Sequence, residues 1–180
     1  MNNSKSLNNL RREYKLNKLS EETVHKNPFI QFDNWFKQVL KLDLIEPNAM
    51  ILATADKNSK PSIRVVLLKS INNKGITFFT NYKSRKAKEL LQNPSASLLF
   101  YWAELERQVR IEGKIRKVSK AESIRYFNSR PSESRLGAWA SEQSEVILNR
   151  EYLEKRYQKF KDEFRGGKIN QVLSNVTFSN

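Results

Sequence analysis

Between Ala49 and Thr80 the chain alternates short β-prone runs with tight turn chemistry, and this alternation restricts the fold more than any other feature. Ala49–Ala55 is short and apolar, and Asp56-Lys57-Asn58-Ser59-Lys60-Pro61 is a turn sequence. Ser62–Ser70 holds the run Val65-Val66-Leu67-Leu68, and Ile76–Thr80 is a return strand. Between them, Asn72-Asn73-Lys74-Gly75 reads as a hairpin turn whose glycine is free to take a positive φ. Parallel neighbours require a crossover of about a dozen residues or more, usually a helix. Connections this short therefore imply antiparallel pairing.

The rest of the chain extends the pattern. Further strands are expected at about Ala96–Trp102 and Arg107–Val118; in the second, Val109, Ile111 and Ile115 alternate with polar residues, the mark of a strand with one wet face. Helical spacing of Phe29, Phe32, Trp35, Phe36, Val39 and Leu40 predicts a helix from Pro28 to about Leu42. Ser84 fits an N-cap for a helix from about Arg85 to Gln92, stopped by Asn93-Pro94. Ser119-Lys120-Ala121-Glu122 fits a capping box for a helix ending near Arg130, ahead of Pro131. Pro131–Ser144 reads as turn-rich, and an amphipathic helix runs from about Glu145 to Phe164, ended by Gly166-Gly167. The class expected is mainly β with peripheral helices, in the form of a small barrel. Its organisation is an arm over residues 1–27, one domain over 28–167 and a polar tail over 168–180.

Bulk chemistry excludes several functions. Without cysteine there is no disulfide and no thiol catalysis, and a single histidine, His25 in the polar arm, lacks metal-ligand spacing. No P-loop or Gly-x-Gly-x-x-Gly is present, and no Ser-His-Asp arrangement is available. No catalytic side chain is identified, so an enzyme of this sequence needs a cofactor to supply its reactive centre. The absence of an apolar leader or spanning run points to a cytoplasmic, soluble protein with no membrane partner. A net charge of +14 suggests anionic ligands, yet lysines are spread along the whole chain and most of the charge reads as solvated surface. Nucleic acid is not expected, because the charges form no dense stripe and no recognition-helix motif stands out.

Three clusters remain. Arg64 and Lys69 flank the Val65–Leu68 run, and alone they read as strand-end charges on opposite faces. Arg85 and Lys86 follow the Ser84 cap at a helix start, where cations oppose the macrodipole unless an anion sits among them. Tyr126 and Arg130 lie four apart on one helix face, with Ser134 shortly after, a set suited to a monophosphate. Gln108, Gln143 and Ser144 are uncharged groups able to hydrogen-bond a heteroaromatic edge.

In series, Arg11-Arg12-Glu13-Tyr14, Arg64-Val65-Val66-Leu67-Leu68-Lys69, Phe79-Thr80-Asn81, Ser84-Arg85-Lys86, Glu106-Arg107-Gln108-Val109, Tyr126-Phe127-Asn128-Ser129-Arg130-Pro131 and Gly137-Ala138-Trp139-Ala140-Ser141-Glu142-Gln143-Ser144 resemble the pyridoxamine 5'-phosphate oxidase family, from about residue 10 to about 167. The resemblance implies a flavin mononucleotide (FMN)-binding split β-barrel, homodimeric, with FMN at the subunit interface. It implies that Arg64, Arg85 and Lys86 hold the FMN phosphate, that Val65, Val66, Leu67, Leu68, Phe79 and Thr80 line the flavin, and that Gln108, Gln143 and Ser144 hydrogen-bond it. Lys69, Tyr126, Arg130 and Ser134 would bind the phosphate of a B6 vitamer, and the segment holding Arg11 and Tyr14 would fold over the occupied site. The implied reaction oxidises pyridoxine or pyridoxamine 5'-phosphate to pyridoxal 5'-phosphate, with dioxygen as acceptor.

One departure stands out. Family members continue with a Trp-Gly-Gly segment and an Arg-Leu-His-Asp-Arg-type motif that reach the flavin and substrate. Residues 168–180 here match neither. The expectation is that the terminal strands of the barrel and half the substrate clamp are missing, which leaves a flavin- or pyridoxal-phosphate-binding protein without turnover as the alternative reading.

Overall fold

The computed structural model describes residues 9–10, 13–16, 18–73, 75–165, 167 and 169, together with the backbone of 176–179. It contains two compact units: Met1–Pro47 with Tyr101–Val109, and Asn48–Phe100 with Arg110–Asn180.

The first unit is built on helix α1 (Pro28–Val39). Asn27 caps it, its side-chain oxygen accepting from the N–H of Phe29 at 2.9 Å and of Ile30 at 3.4 Å. Such a cap is worth about 1 kcal/mol, and proline at the first helical position has no N–H to leave unpaired. The apolar stripe read from the sequence buries Phe32 and Val39, and Phe32 meets Phe36 and Trp102 at ring separations of 5.8 Å each. Glu106, in the left-handed region at φ 49° after a 3-10 turn (Ala103–Leu105), accepts the backbone N–H groups of Lys15 and Leu16 at 2.7 and 3.0 Å.

The second unit holds the sheet. Its strands are β1 (Ala49–Ala55), β2 (Pro61–Leu67), β3 (Ser70–Asn72), β4 (Gly75–Phe78), β5 (Ser95–Trp102), β6 (Arg107–Lys117) and β7 (Val176–Ser179), of which β5 and β6 continue into the first unit. The order is β2-β1-β5-β6-β7-β4-β3. β1 pairs antiparallel with β2 from Ala49↔Leu67 to Ala55↔Pro61 and with β5 from Ile51↔Leu99 to Thr54↔Ala96. The period of two sends Met50 and Leu52 of β1, and Ala96, Leu98 and Phe100 of β5, into the core with Ile76 and Phe78 of β4. Burial of each large side chain here stabilises the fold by about 1.5–3 kcal/mol. Gly75 closes the β3–β4 hairpin at φ 132°, the positive φ its turn sequence called for.

Helices α2 (Arg85–Gln92), α3 (Lys120–Ser129), α4 (Ser132–Ala140) and α5 (Arg150–Glu163) lie outside the strands in the chain order expected, with two corrections. The turn-rich reading of Pro131–Ser144 is wrong for its first part, because α4 occupies Ser132–Ala140. Pro131 ends α3, yet it also stands at the N-cap of the next helix, where its missing N–H costs nothing, and Glu133 suits the dipole of the first turn. Leu136 and Ala140, four apart, are then buried. Trp139 packs against α5 and the residue after it, 5.5 Å from Phe160 and 5.3 Å from Phe164. The amphipathic helix is also shorter than expected, starting at Arg150 after an Asn149 cap.

A third correction, outside the helices, concerns the tail. Val176–Ser179 forms β7, paired with β4 at Ile76↔Phe178 and with β6 at Ile115↔Phe178. A strand is present where the sequence suggested none. It lies between β6 and β4, so β3 and β4 join the rest of the sheet through it. The class is mainly β with peripheral helices, as the hairpins implied.

Candidate functional site

The start of α2 gathers charge around one carboxylate. Ser84 is fully buried and caps the helix, its Oγ accepting from the N–H of Ala87. One turn into the helix, Glu89 is 5% exposed and reaches the paired strands β1 and β2. Its Oε2 accepts from the hydroxyls of Thr54 and Ser62, the latter at 2.7 Å, and from the Arg64 guanidinium at 3.1 Å. Its Oε1 accepts from Arg85 Nε at 2.8 Å. Burial by itself would raise the Glu89 carboxyl, but the hydrogen bonds from Thr54, Ser62, Arg85 and Arg64 outweigh it and hold it at about 2.

Arg64 points its terminal nitrogens inward, donating to Leu52 O, Thr54 Oγ1, Ser62 Oγ and Glu89. Arg85 is 59% exposed and pinned at Nε alone by Glu89. Lys86 is 8% exposed, and its Nζ donates to Thr80 Oγ1 at 3.2 Å. Burial lowers the Lys86 ammonium, Arg64 pushes the same way and Glu89 opposes them. Three cations against one carboxylate leave a local charge of +2, close to the complement of a phosphate monoester carrying about −1.5 to −2. An anion at this helix start turns the unfavourable cation–dipole arrangement into a favourable one.

Thr80 leads from this cluster to a cavity of about 410 Å³. Phe79, Thr80, Tyr126, Arg130, Ser134 and Gln143, all selected from the sequence, line it together with Asn81 and Gly137. The Phe79 and Tyr126 rings stack at 3.5 Å and 17°. Burial raises the Tyr126 phenol, against the pull of the Arg130 guanidinium, so it stays a neutral donor beside a cation. Gln143 Oε1 accepts from the Asn81 N–H at 3.3 Å and Thr80 Oγ1 at 3.5 Å. An ion pair between Lys88 of α2 and Glu145 at 2.8 Å ties the Gln143–Ser144 segment down.

Other selected residues lie elsewhere. Ser144 is exposed, with a left-handed backbone at φ 70°. Lys69 is exposed and not among the residues lining the cavity. Along Val65–Leu68, Val66 and Leu68 face the core while Val65 is 61% exposed; among the described residues β2 is an edge strand, so half its backbone groups have no strand partner there. Tyr14 and Gln108 belong to the first unit, where both line a second cavity of about 730 Å³. Arg11 lies outside the described residues.

Sequence reasoning missed Glu89, Thr54, Ser62, Asn81 and Gly137. Asn81 and Gly137 stood within motifs that carry the family resemblance but were given no role, and Glu89 showed only its i,i+4 spacing from Arg85; its contact with two strand hydroxyls is tertiary. Among the described residues, no group of three His, Cys, Asp or Glu side chains is placed to hold a metal, and no helix is long and apolar enough to cross a membrane.

Comparison with known proteins identifies the family. The family model for pyridoxamine 5'-phosphate oxidase matches residues 36–163. A pyridoxine/pyridoxamine 5'-phosphate oxidase of Cyanothece sp. is 54% identical over 164 residues, covering 91% of this chain and 77% of the relative. A protein of the same name from Paraburkholderia phymatum is 57% identical over 159 residues, covering 88% and 75%. Among solved structures, PhzG from Burkholderia lata, bound to tetrahydrophenazine-1-carboxylic acid, superposes with a TM-score of 0.84 at 25% identity, covering 91% of this chain and 82% of that one. An FMN-binding protein related to pyridoxamine 5'-phosphate oxidase, from Nostoc punctiforme, shares the fold with a TM-score of 0.64 at 16% identity, covering 87% and 82%. The sheet is thus the split barrel of these proteins, and the chain belongs to the pyridoxamine 5'-phosphate oxidase family.

Proposed function

We propose that this protein is an FMN-dependent oxidase that converts pyridoxine or pyridoxamine 5'-phosphate to pyridoxal 5'-phosphate, with dioxygen as the final acceptor. The observation that carries the reading is the continuity of two anion-suited sites: the +2 cluster at the start of α2 joins, through Thr80 and Gln143, a cavity lined by Tyr126, Arg130 and Ser134. Bound FMN would supply the hydride acceptor that no side chain provides.

Each residue then has a task. Arg85 and Lys86 take the FMN phosphate, while Arg64 adds charge and holds Glu89 in place. Unpaired backbone groups on β2 and the side chain of Gln143 serve the heteroaromatic edge, with Gln108 and Ser144 assigned there by family resemblance. Arg130, Tyr126 and Ser134 hold the substrate phosphate and so fix the depth at which the reacting ring lies, the positioning on which rate depends when the cofactor carries the chemistry. Lys69 and the segment of Arg11 and Tyr14 are assigned to substrate binding by the same resemblance. The exposed Ile63 (71%) and Val65 (61%) on edge strand β2 support a homodimer that covers them.

The test is a spectrum of the purified protein before and after substrate is added without oxygen, followed by a peroxide assay once air returns. The outcome expected is a yellow dimer whose visible absorption bleaches with substrate and which then releases peroxide. A folded protein that takes up no flavin on reconstitution refutes the reading. Flavin binding without turnover is the alternative outcome of the same test. Flavin uptake without bleaching or peroxide selects it.

A further inference from the structure

We infer that Glu89 is a positioning residue for the phosphate grip: it pins the exposed Arg85 side chain by Nε and leaves the terminal fork of that guanidinium for the phosphate. The inference rests on the FMN reading above and extends it to a residue that touches no ligand. Three observations carry it. Glu89 is buried where a carboxylate is costly unless paired, and it is satisfied on both oxygens. Its Oε2 is anchored from behind by Thr54, Ser62 and Arg64, on two strands paired through Thr54↔Ser62. Among the described residues Oε1 has one partner, Arg85, whose side chain is otherwise 59% exposed.

An exposed arginine samples many rotamers, and ordering it on binding costs affinity. A guanidinium held at Nε keeps its planar fork in one orientation, the geometry suited to bidentate recognition of phosphate. Simple electrostatics makes the opposite forecast. Removing a carboxylate beside a phosphate site would raise the local charge from +2 to +3 and tighten binding. The two accounts therefore differ in sign.

The experiment titrates wild type, Glu89→Ala and Glu89→Gln with FMN and with riboflavin, which shares the ring and lacks the phosphate. Thermal melts verify that each variant is folded. Glu89→Ala is expected to bind FMN about tenfold or more weakly while its riboflavin affinity stays within about twofold of wild type. Glu89→Gln, which keeps the shape and one acceptor oxygen, should fall between the two. Unchanged or tighter FMN binding by the alanine variant overturns the inference, as does an equal loss for both ligands. If the alanine variant does not fold, the FMN-to-riboflavin ratio of Glu89→Gln decides: a selective loss supports positioning, and an unchanged ratio refutes it. Failure of the wild type to bind FMN overturns the flavin reading itself and this inference with it.

Discussion

Tyr126 lies on α3 and Arg130 is its C-cap residue, with extended backbone instead of the shared helix face the spacing suggested; both line one cavity, but their chemistry separates them. The guanidinium carries a permanent charge and a fork of donors, whereas the phenol is a single neutral donor kept protonated by burial. Hydrogen bonds to charged groups are worth about 1.5–3 kcal/mol. Arg130→Ala should therefore weaken B6-phosphate binding by about ten- to a hundredfold, seen as a raised KM. FMN affinity should be unchanged, since the residue lies outside the α2 cluster; a parallel loss of FMN would contradict the assignment of two separate grips. Tyr126→Phe keeps the ring stacked on Phe79 at 3.5 Å and removes only the hydroxyl. Its KM should rise less, by about threefold to tenfold. The pair of variants thus separates charge from stacking.

Among the elements, α4 contains the residue whose conformation and position make opposite demands. Gly137 sits inside the helix without a positive φ, and a Cβ built there meets nothing within 4 Å. Glycine in a helix interior is less favourable than alanine by about 0.8–1 kcal/mol. The same glycine lines the 410 Å³ cavity, which is the open space that a Cβ would enter. Gly137→Ala should raise the melting temperature by about 2–4 °C and weaken B6-phosphate binding, measured on the same preparation. A more stable variant with unchanged KM would show that no ligand comes close to α4. The sequence concealed this helix because Pro131 ends one element and begins the next, and a single residue gave both signals. The β1–β4 series was legible because each turn carries its own local chemistry, and Gly75 takes the conformation expected of it. β7 was not legible: its four residues follow a polar stretch, and its role comes from pairing with β4 and β6, which lie about 100 and about 60 positions away in sequence. Six residues of the cavity could be chosen in advance because they belong to recognisable local motifs. Glu89 could not, because what distinguishes it is a contact between a helix and two strands.

For the whole molecule, acid stability should report on Glu89. The groups facing this carboxylate are Arg64 of β2, Arg85 and Lys86 of α2 and the hydroxyls of Thr54 and Ser62; Arg64, Arg85 and the two hydroxyls donate hydrogen bonds to the ionised form, and the Lys86 ammonium favours it by charge. Its folded value of about 2 lies below the ordinary 4.5, so the folded state binds this proton more weakly than the unfolded state does. The resulting stabilisation is fully present above about pH 4.5 and is lost as the pH falls toward 2; it amounts to something on the order of 3 kcal/mol. Acid also removes the charge of the other carboxylates, leaving 33 lysines and arginines to repel one another, and this general effect destabilises any variant of the chain. Comparing wild type with Glu89→Gln cancels it. Glutamine does not titrate, so wild type should be the more stable protein near neutrality, and the gap should close between about pH 4.5 and 2 in urea unfolding series. A gap that stays constant through that range would mean that Glu89 keeps an ordinary carboxylate affinity for protons in the folded protein. The carboxylate would then not be held by the four donors around it, and Arg85 would lose the fixed point on which its alignment depends.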